Sequence, residues 1–277
     1  MQSVAYDLHL HSCLSPCGDE DMTPNNIVNM SLLKGLDVIA ITDHNTMGNA
    51  KAVMECAEGT NLIVIPGMEI ETSEEVHMVC LFKNLSDAYK FWDIVKENMP
   101  EIKNKEEIFG RQLYMDKNDE ITGIEENLLT VATYLSINDV YENVKNIGGV
   151  SFPSHIDKPS YSVISNLGFI PPELKFNTLE IKMKEKKDEL VSKHRLLEYK
   201  IIHNSDAHYL ENISERENFI HIEKKDIEGI LNVLWLIKVL LDFYKKCGTI
   251  YIVWLNFRQR RHWKWVREEK NATKFLI

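Results

Sequence analysis

"DLHLHSCLSPCGDED", residues 7–21, places two histidines, two cysteines and four acids in one short stretch near the N-terminus. It continues "SVAYDLHL" (3–10), which reads as a β-strand. Alternate residues of an extended strand face one side, so Asp7, His9 and His11 are expected to line up. An H-x-H pair at a strand end is a ready two-pronged grip for a metal ion. The same kind of grouping recurs further along the chain, and that recurrence decides the fold class.

Six more apolar, β-branched runs follow: "LDVIAIT" (36–42), "NLIVIPGMEI" (61–70), "VHMVCLF" (76–82), "GVSFPS" (149–154), "NTLEIK" (177–182) and "KIIHNS" (200–205). Helical patterns separate most of them. "TPNNIVNMSLLKGL" begins with Thr23 as a predicted N-cap and Pro24 at the first helical position, with Gly35 to close it. Further helices are predicted near 48–58, 86–98, 137–147, 184–198 and 225–241. Alternating β and α units favour a parallel sheet, open or closed into a barrel. Residues 100–135 break the rhythm, and "MDKNDEITG" reads as a polar hairpin or loop. This segment is expected to be an insertion bordering the active site.

Histidines and acids fall repeatedly at the predicted strand ends. "AITDHN" puts Asp43 and His44 after the second strand, and "PGMEIE" puts Glu69 at the end of the third. "SFPSHID" supplies His155 and Asp157, and "HNSDAH" supplies Asp206 and His208, again two apart. In α/β barrels and open sheets functional residues gather at the carboxyl ends of the strands, so these distant residues are expected to converge in one mouth. Imidazoles mixed with carboxylates suit Zn, Mn or Fe, in contrast to an all-oxygen calcium cage or a thiolate-only zinc site. The donors outnumber what one four-coordinate ion can use, and Glu69 can bridge two cations. Two or three divalent ions are expected, and such clusters hydrolyse phosphoryl or carbonyl compounds through metal-activated water.

The 277 residues, 44% of them hydrophobic, can fill one core of barrel size. Thirty-two Lys/Arg against forty-two Asp/Glu give a net charge of −10, which counts against long nucleic acid but leaves a small phosphorylated substrate open, since a bound cation supplies local positive charge. No signal-peptide pattern opens the sequence, and no uncharged apolar run reaches the roughly 18 residues of a membrane span. Five irregularly spaced cysteines (13, 17, 56, 80, 247) argue against a disulfide framework. A cytoplasmic protein without membrane partners is expected. From Leu234 onward the character changes to ten Lys/Arg, three Asp/Glu and four of the five tryptophans. The chain is therefore divided into a domain at 1–233 and a basic segment at 234–277. That segment reads as an interaction tail, a barrel-closing helix or an altered C-terminus.

Taken in order, "DLHLHS", "ITDHN", "GMEIE", "VHMVCLF", "PSHID" and "NSDAH" resemble the motifs of the PHP (polymerase and histidinol phosphatase) superfamily. The resemblance spans most of residues 5–210. It implies a distorted (β/α)7 TIM-like barrel with a trinuclear metal centre and hydrolysis of phosphate esters. Carried over by position, His9, His11, Glu69 and Asp206 would hold the first metal. Glu69 would bridge to a second completed by His77 and His155, and His44 and His208 would hold the third. The family often adds a His or Asp from the loop after H-x-H. Here that loop reads "SCLSPCGDED", where Cys17 is the best placed substitute and Asp19 the next. His77 precedes its apolar run instead of following it, so only the resemblance promotes it.

His44, His77, His155 and His208 are accordingly expected to position the ions for catalysis, and Lys158 and Arg111 to grip the substrate phosphate. Asp7 and Asp43 are read as groups orienting the imidazoles or as plain strand-end acids, and Asp157 as a ligand neighbour or turn cap. His194, His203, His221 and His262 are read as structural or surface residues. The expected activity is that of a phosphatase on a small phosphorylated metabolite or nucleotide. The alternatives are a nuclease or phosphodiesterase on short nucleic acid, and a non-catalytic regulatory module.

Overall fold

The structure, a computed structural model, describes residues 1–235. Ten strands appear in chain order: β1 (Gln2–Leu10), β2 (Val38–Ile41), β3 (Ile63–Glu71), β4 (His77–Leu81), β5 (Leu113–Met115), β6 (Ile121–Ile124), β7 (Val150–Pro153), β8 (Thr178–Glu180), β9 (Lys200–Ile202) and β10 (Phe219–Ile222). The main helices are α1 (Pro24–Leu33), α2 (Ala50–Cys56), α3 (Leu85–Glu97), the single turn α4 (Glu106–Phe109), α5 (Ile137–Ile147), α6 (Val163–Leu167), α7 (Lys187–His194) and α8 (Ile227–Trp235). The predicted cap of α1 forms, with the Thr23 hydroxyl accepting the Asn26 N–H, and α5 opens with a reciprocal Ser136–Asp139 capping box that the sequence reading did not name. Of the basic segment at 234–277, Leu234 and Trp235 belong to α8 and the rest lies outside the described residues.

Six strands form one curled sheet in the order β10-β1-β2-β3-β4-β7. β1, β2 and β3 are parallel, but β4 runs antiparallel to both β3 and β7, and β10 runs antiparallel to β1. β8 and β9 make a separate parallel pair. The segment after β9 returns to β1 through the Leu8 N–H on Asn204 (2.8 Å) and a bridge between Leu10 and Ala207. The fold is thus α/β with a curled sheet, as expected. Instead of the continuous seven-stranded ladder of the sequence reading, the described residues give a six-stranded sheet and a separate pair. β10 escapes the sequence reading because four residues, alternately exposed and buried, leave a weak signal.

Inside the curl pack Val4, Tyr6, Leu8, Val38, Ala40, Ile65, Val79 and Phe152, with Leu231 and Leu234 of α8 in the same cluster. A second layer, including Ala5, Leu10, Ile39 and Ile41, meets α1 and α2, and a third packs α3 and α5 against Met68, Met78 and Phe82. Residues 100–135 do form an insertion. β5 and β6 pair as a hairpin whose tip residue Asp119 receives the Thr23 hydroxyl (2.8 Å) and the Asn25 N–H (3.0 Å). The Leu113 N–H bonds Cys13 O, and Asn45 holds the carbonyls of Leu129 and Val131, so the insertion is laced onto the loops that follow β1 and β2.

Candidate metal centre

His9 and His11 meet, with their Nε2 atoms 3.2 Å apart, but Asp7 does not join them. Asp7 lies opposite Ile39 and Leu10 opposite Ile41, so β1 carries one extra residue over this interval. A bulge of this kind reverses the alternation of faces. Ala5 on one side of it and Leu10 on the other both pack in the outer layer with α1 and α2. The Asp7 carboxylate instead accepts the N–H groups of Ser205 (3.0 Å) and Ser214 (2.9 Å), tying down the chain around the sixth motif. Its reading as an imidazole-orienting group is therefore corrected.

Asp43 fastens the loop after β1. Its carboxylate takes the Ser12 N–H, the Ser12 hydroxyl and the Ser15 hydroxyl, each at 2.7 Å. Ser15 Oγ in turn lies 3.0 Å from His11 Nδ1 and accepts the His44 N–H at 3.1 Å. Asp43 thus orients His11 and His44 through a serine.

The antiparallel direction of β4 resolves the position of His77. Glu71 lies opposite His77 and Met78 opposite Pro153, so the start of β4 sits at the same end of the sheet as the ends of β3 and β7. His77 and His155 therefore face Glu69 from both sides.

Buried Glu69 is the hub. Its Oε1 lies 3.3 Å from His9 Nε2, 3.2 Å from His77 Nδ1 and 3.1 Å from His155 Nε2, and its Oε2 lies 3.4 Å from His11 Nε2 and from His44 Nδ1. Asp206 adds an oxygen 3.5 Å from His9 and 3.3 Å from His11. The His208 ring stacks on His11 with centroids 4.3 Å apart. Three groups of possible ligand atoms result: His9, His11, Glu69 and Asp206; His44, Glu69 and His77; and His11, His44 and His208; His155 is in none of them but stands 3.1 Å from Glu69 Oε1.

Burial pulls the His9 pKa down, but the charges of Glu69, Glu180 and Asp206 outweigh it and leave His9 well above the usual histidine range. His77 is likewise carried, against its burial, to about 9 by Glu69 and Glu71. His44 and His208 go the other way. Burial and the neighbouring His11 hold His44 well below its ordinary value and His208 down to about 3. Burial would raise Glu69 and Asp206, yet the imidazoles around them hold both well below the usual carboxylate range. The buried Nδ1 of His44 has no hydrogen-bond partner although it points toward Glu69. Crowded imidazole nitrogens facing two ionised carboxylates, one of them orphaned, fit multinuclear divalent cations.

Two residues absent from the sequence reading belong here. Glu180, buried at the end of β8, puts both oxygens 3.1 Å from His9 Nδ1, accepts the His155 N–H at 3.0 Å and is held by Asn204 at 2.7 Å. Lys182 places Nζ 3.1 Å from Asp206 Oδ2, beside Lys158 Nζ at 2.5 Å from the same atom. The available signal was an acid closing a buried strand, with a lysine two residues on.

Other expectations land elsewhere. Arg111 is bound by two contacts to exposed Glu20 (2.8 and 2.5 Å), away from the cluster. Cys17 falls in none of the three donor groups. Its pKa is pushed up to about 12 by burial of the thiol and by the nearby carboxylates of Glu69 and Asp206, although the residue as a whole is exposed. Asp19 spends its carboxylate on the Asp21 N–H (2.9 Å). Asp157 caps a turn by accepting the N–H groups of Lys182 and Met183. His203 turns to the Ile181 carbonyl (2.7 Å), in keeping with its reading as a structural residue, and His262 lies outside the described residues. No helix among the described residues is long and apolar enough to cross a membrane.

A family model described as the PHP domain matches residues 7–148, just over half of the chain. Over 84 residues the chain is 37% identical to the 5′-3′ exoribonuclease Rnm of Salmonella typhimurium, a match covering 28% of each protein. Among solved structures, the lesion-specific endonuclease PfuEndoQ of Pyrococcus furiosus superposes with a TM-score of 0.63 at 19% identity, covering 84% of this chain and 56% of that one. A putative metal-dependent phosphoesterase of Bifidobacterium adolescentis gives 0.53 at 19% identity, covering 83% and 95%. These two likenesses are of fold.

Proposed function

Because the chain belongs to the PHP domain family of metal-dependent hydrolases, we propose that it hydrolyses phosphodiester bonds in nucleic acid. The reading is carried by one observation, the group of six imidazoles, five buried and His208 half-buried, around buried Glu69 and Asp206, with half-exposed Lys158 and Lys182 converging on Asp206. The similarity to an exoribonuclease supports a diester substrate better than the small-metabolite phosphatase preferred from sequence. The net charge of −10 weighs less than it did there. It is a property of the whole surface, whereas a phosphate at this mouth would meet two lysines and the bound cations.

His9, His11, Glu69 and Asp206 would hold one ion, Glu69 with His77 and His155 a second, and His44 with His208, joined by His11, a third; zinc, manganese or iron suits these donors. Bound there, the metals would polarise a phosphoryl oxygen and lower the pKa of water. The chain itself fixes the imidazoles through Glu180 and through the Asp43–Ser15 relay. Lys158 and Lys182 would leave Asp206 for the non-bridging oxygens of the substrate, holding the phosphate in register. His44 and His208, held neutral, offer lone pairs at neutral pH without first losing a proton.

The test is incubation of the manganese- or zinc-loaded full chain with end-labelled single-stranded RNA and DNA, alongside phosphomonoesters, with a chelator control. Chelator-sensitive shortening of an oligonucleotide is expected. Phosphate release from monoesters without chain cleavage would restore the phosphatase reading.

A further inference from the structure

Tyr161 combines three features that its packing alone does not require. Its backbone is left-handed, with φ 55°. A bulky residue at positive φ is strained and persists only where its surroundings impose it. The ring stacks on His77, with centroids 4.9 Å apart and planes at 26°. The strain does not bury the ring, since Tyr161 remains 46% exposed. The conformation is locked by the His77 N–H donating to the Tyr161 carbonyl (3.0 Å) and by the Ser162 hydroxyl on Lys158 O (2.8 Å). One face of the ring is therefore fixed on a member of the cluster and the other is open at its mouth.

The same loop carries His155 on Glu69 and Lys158 on Asp206. Within seven residues it presents a metal donor, a cation for phosphate and an open aromatic face. A nucleotide needs that set: a flat base beside an anionic ester. We propose that Tyr161 is the floor of a nucleobase subsite, stacking the base next to the scissile phosphate. This rests on the nucleic-acid reading above and adds to it how the substrate is recognised. Stacking engages the π-face that every base shares, so the subsite discriminates nucleotide from base-free ester and scarcely one base from another.

The experiment compares two diesters on the metal-loaded full chain, thymidine 5′-(p-nitrophenyl phosphate) and methyl p-nitrophenyl phosphate, which lacks a base. Tyr161→Ala is expected to raise KM for the thymidine ester about ten-fold, in the range of one base–aromatic stack, with kcat and turnover of the methyl ester held within about two-fold. Tyr161→Phe and Tyr161→Trp should retain the wild-type KM, and Tyr161→Gly, which accepts positive φ, should fold and share the alanine defect. Equal changes on both esters, or none on either, would overturn the subsite. If the wild-type protein cleaves neither ester, the oligonucleotide assay alone decides the nucleic-acid reading, and calorimetry with thymidine 5′-monophosphate and inorganic phosphate decides the subsite separately. Weaker binding of the nucleotide alone in Tyr161→Ala upholds it; unchanged nucleotide affinity overturns it.

Discussion

Glu180 grips His9 from behind: both carboxylate oxygens stand 3.1 Å from Nδ1, leaving Nε2 turned toward Glu69 and Asp206. A partner of this kind fixes the ring and raises its basicity as a ligand, and losing it typically weakens metal binding 10–100-fold. Glu180→Gln should therefore lower metal affinity by about that factor while preserving the fold, as read by chelator competition and circular dichroism. Wild-type affinity in a folded Glu180→Gln protein would reduce the contact to packing.

Asp206 is shared by three imidazoles, those of His9, His11 and His208, and two lysines. Asp206→Ala and His9→Ala are expected to reduce bound metal, measured by elemental analysis, and to abolish hydrolysis. Full activity at lowered metal content would defeat the assigned roles.

For the metal-free protein the pH dependence has a definite sign. His77 binds its proton more tightly when folded, at about 9 against 6.5, so its contribution to stability is complete below about 6.5 and is lost as pH rises toward 9. Glu69 and Asp206, held low, act at the other end, and their contributions fade as acid titrates them. Tm of the chelated protein should fall between pH 6.5 and 9, while metal affinity climbs because protons on His9, His11 and His77 must leave. A flat Tm and pH-independent affinity across that interval would contradict these proton positions.

Gly18 turns the loop that carries Ser15. A Cβ there would stand 2.4 Å from the Ser12 carbonyl oxygen, so Gly18→Ala must push the loop open. A loss of about 1–3 kcal/mol, typical of overpacking, is expected in denaturant unfolding, together with weaker metal binding through His11 and His44. Wild-type stability would show that the turn yields freely.

Cys17→Ser is expected to keep metal stoichiometry and activity unchanged, since the thiol stands outside the donor groups. Loss of one ion in that variant would reinstate the cysteine as a ligand.

Much of this was legible in sequence. The seven strands read from it are all present, and the recurrence of His and acids at their ends marks the convergent mouth. What escaped depends on three-dimensional facts with no local signature. Strict alternation put Asp7 beside His9, but the bulge in β1 separates them. His77 looked misplaced because strand direction is invisible in a run such as "VHMVCLF", and only its antiparallel pairing with β3 brings it to the mouth. Glu180 and Lys182 are single charges in an otherwise ordinary strand, and Arg111 looked free until Glu20 was seen across from it, 91 positions away.

The return of the chain to β1, where Ala207 bridges Leu10, also sets an order of assembly. Five imidazoles and Glu69 are already in place by residue 155, but Asp206 and His208 arrive only when the segment after β9 docks, closing a contact that spans 196 positions between Leu8 and Asn204. During synthesis, a complete set of donors exists only after nearly every strand has found its neighbour. A chain in which this segment has not docked lacks Asp206 and His208, two of the donors that would hold metal.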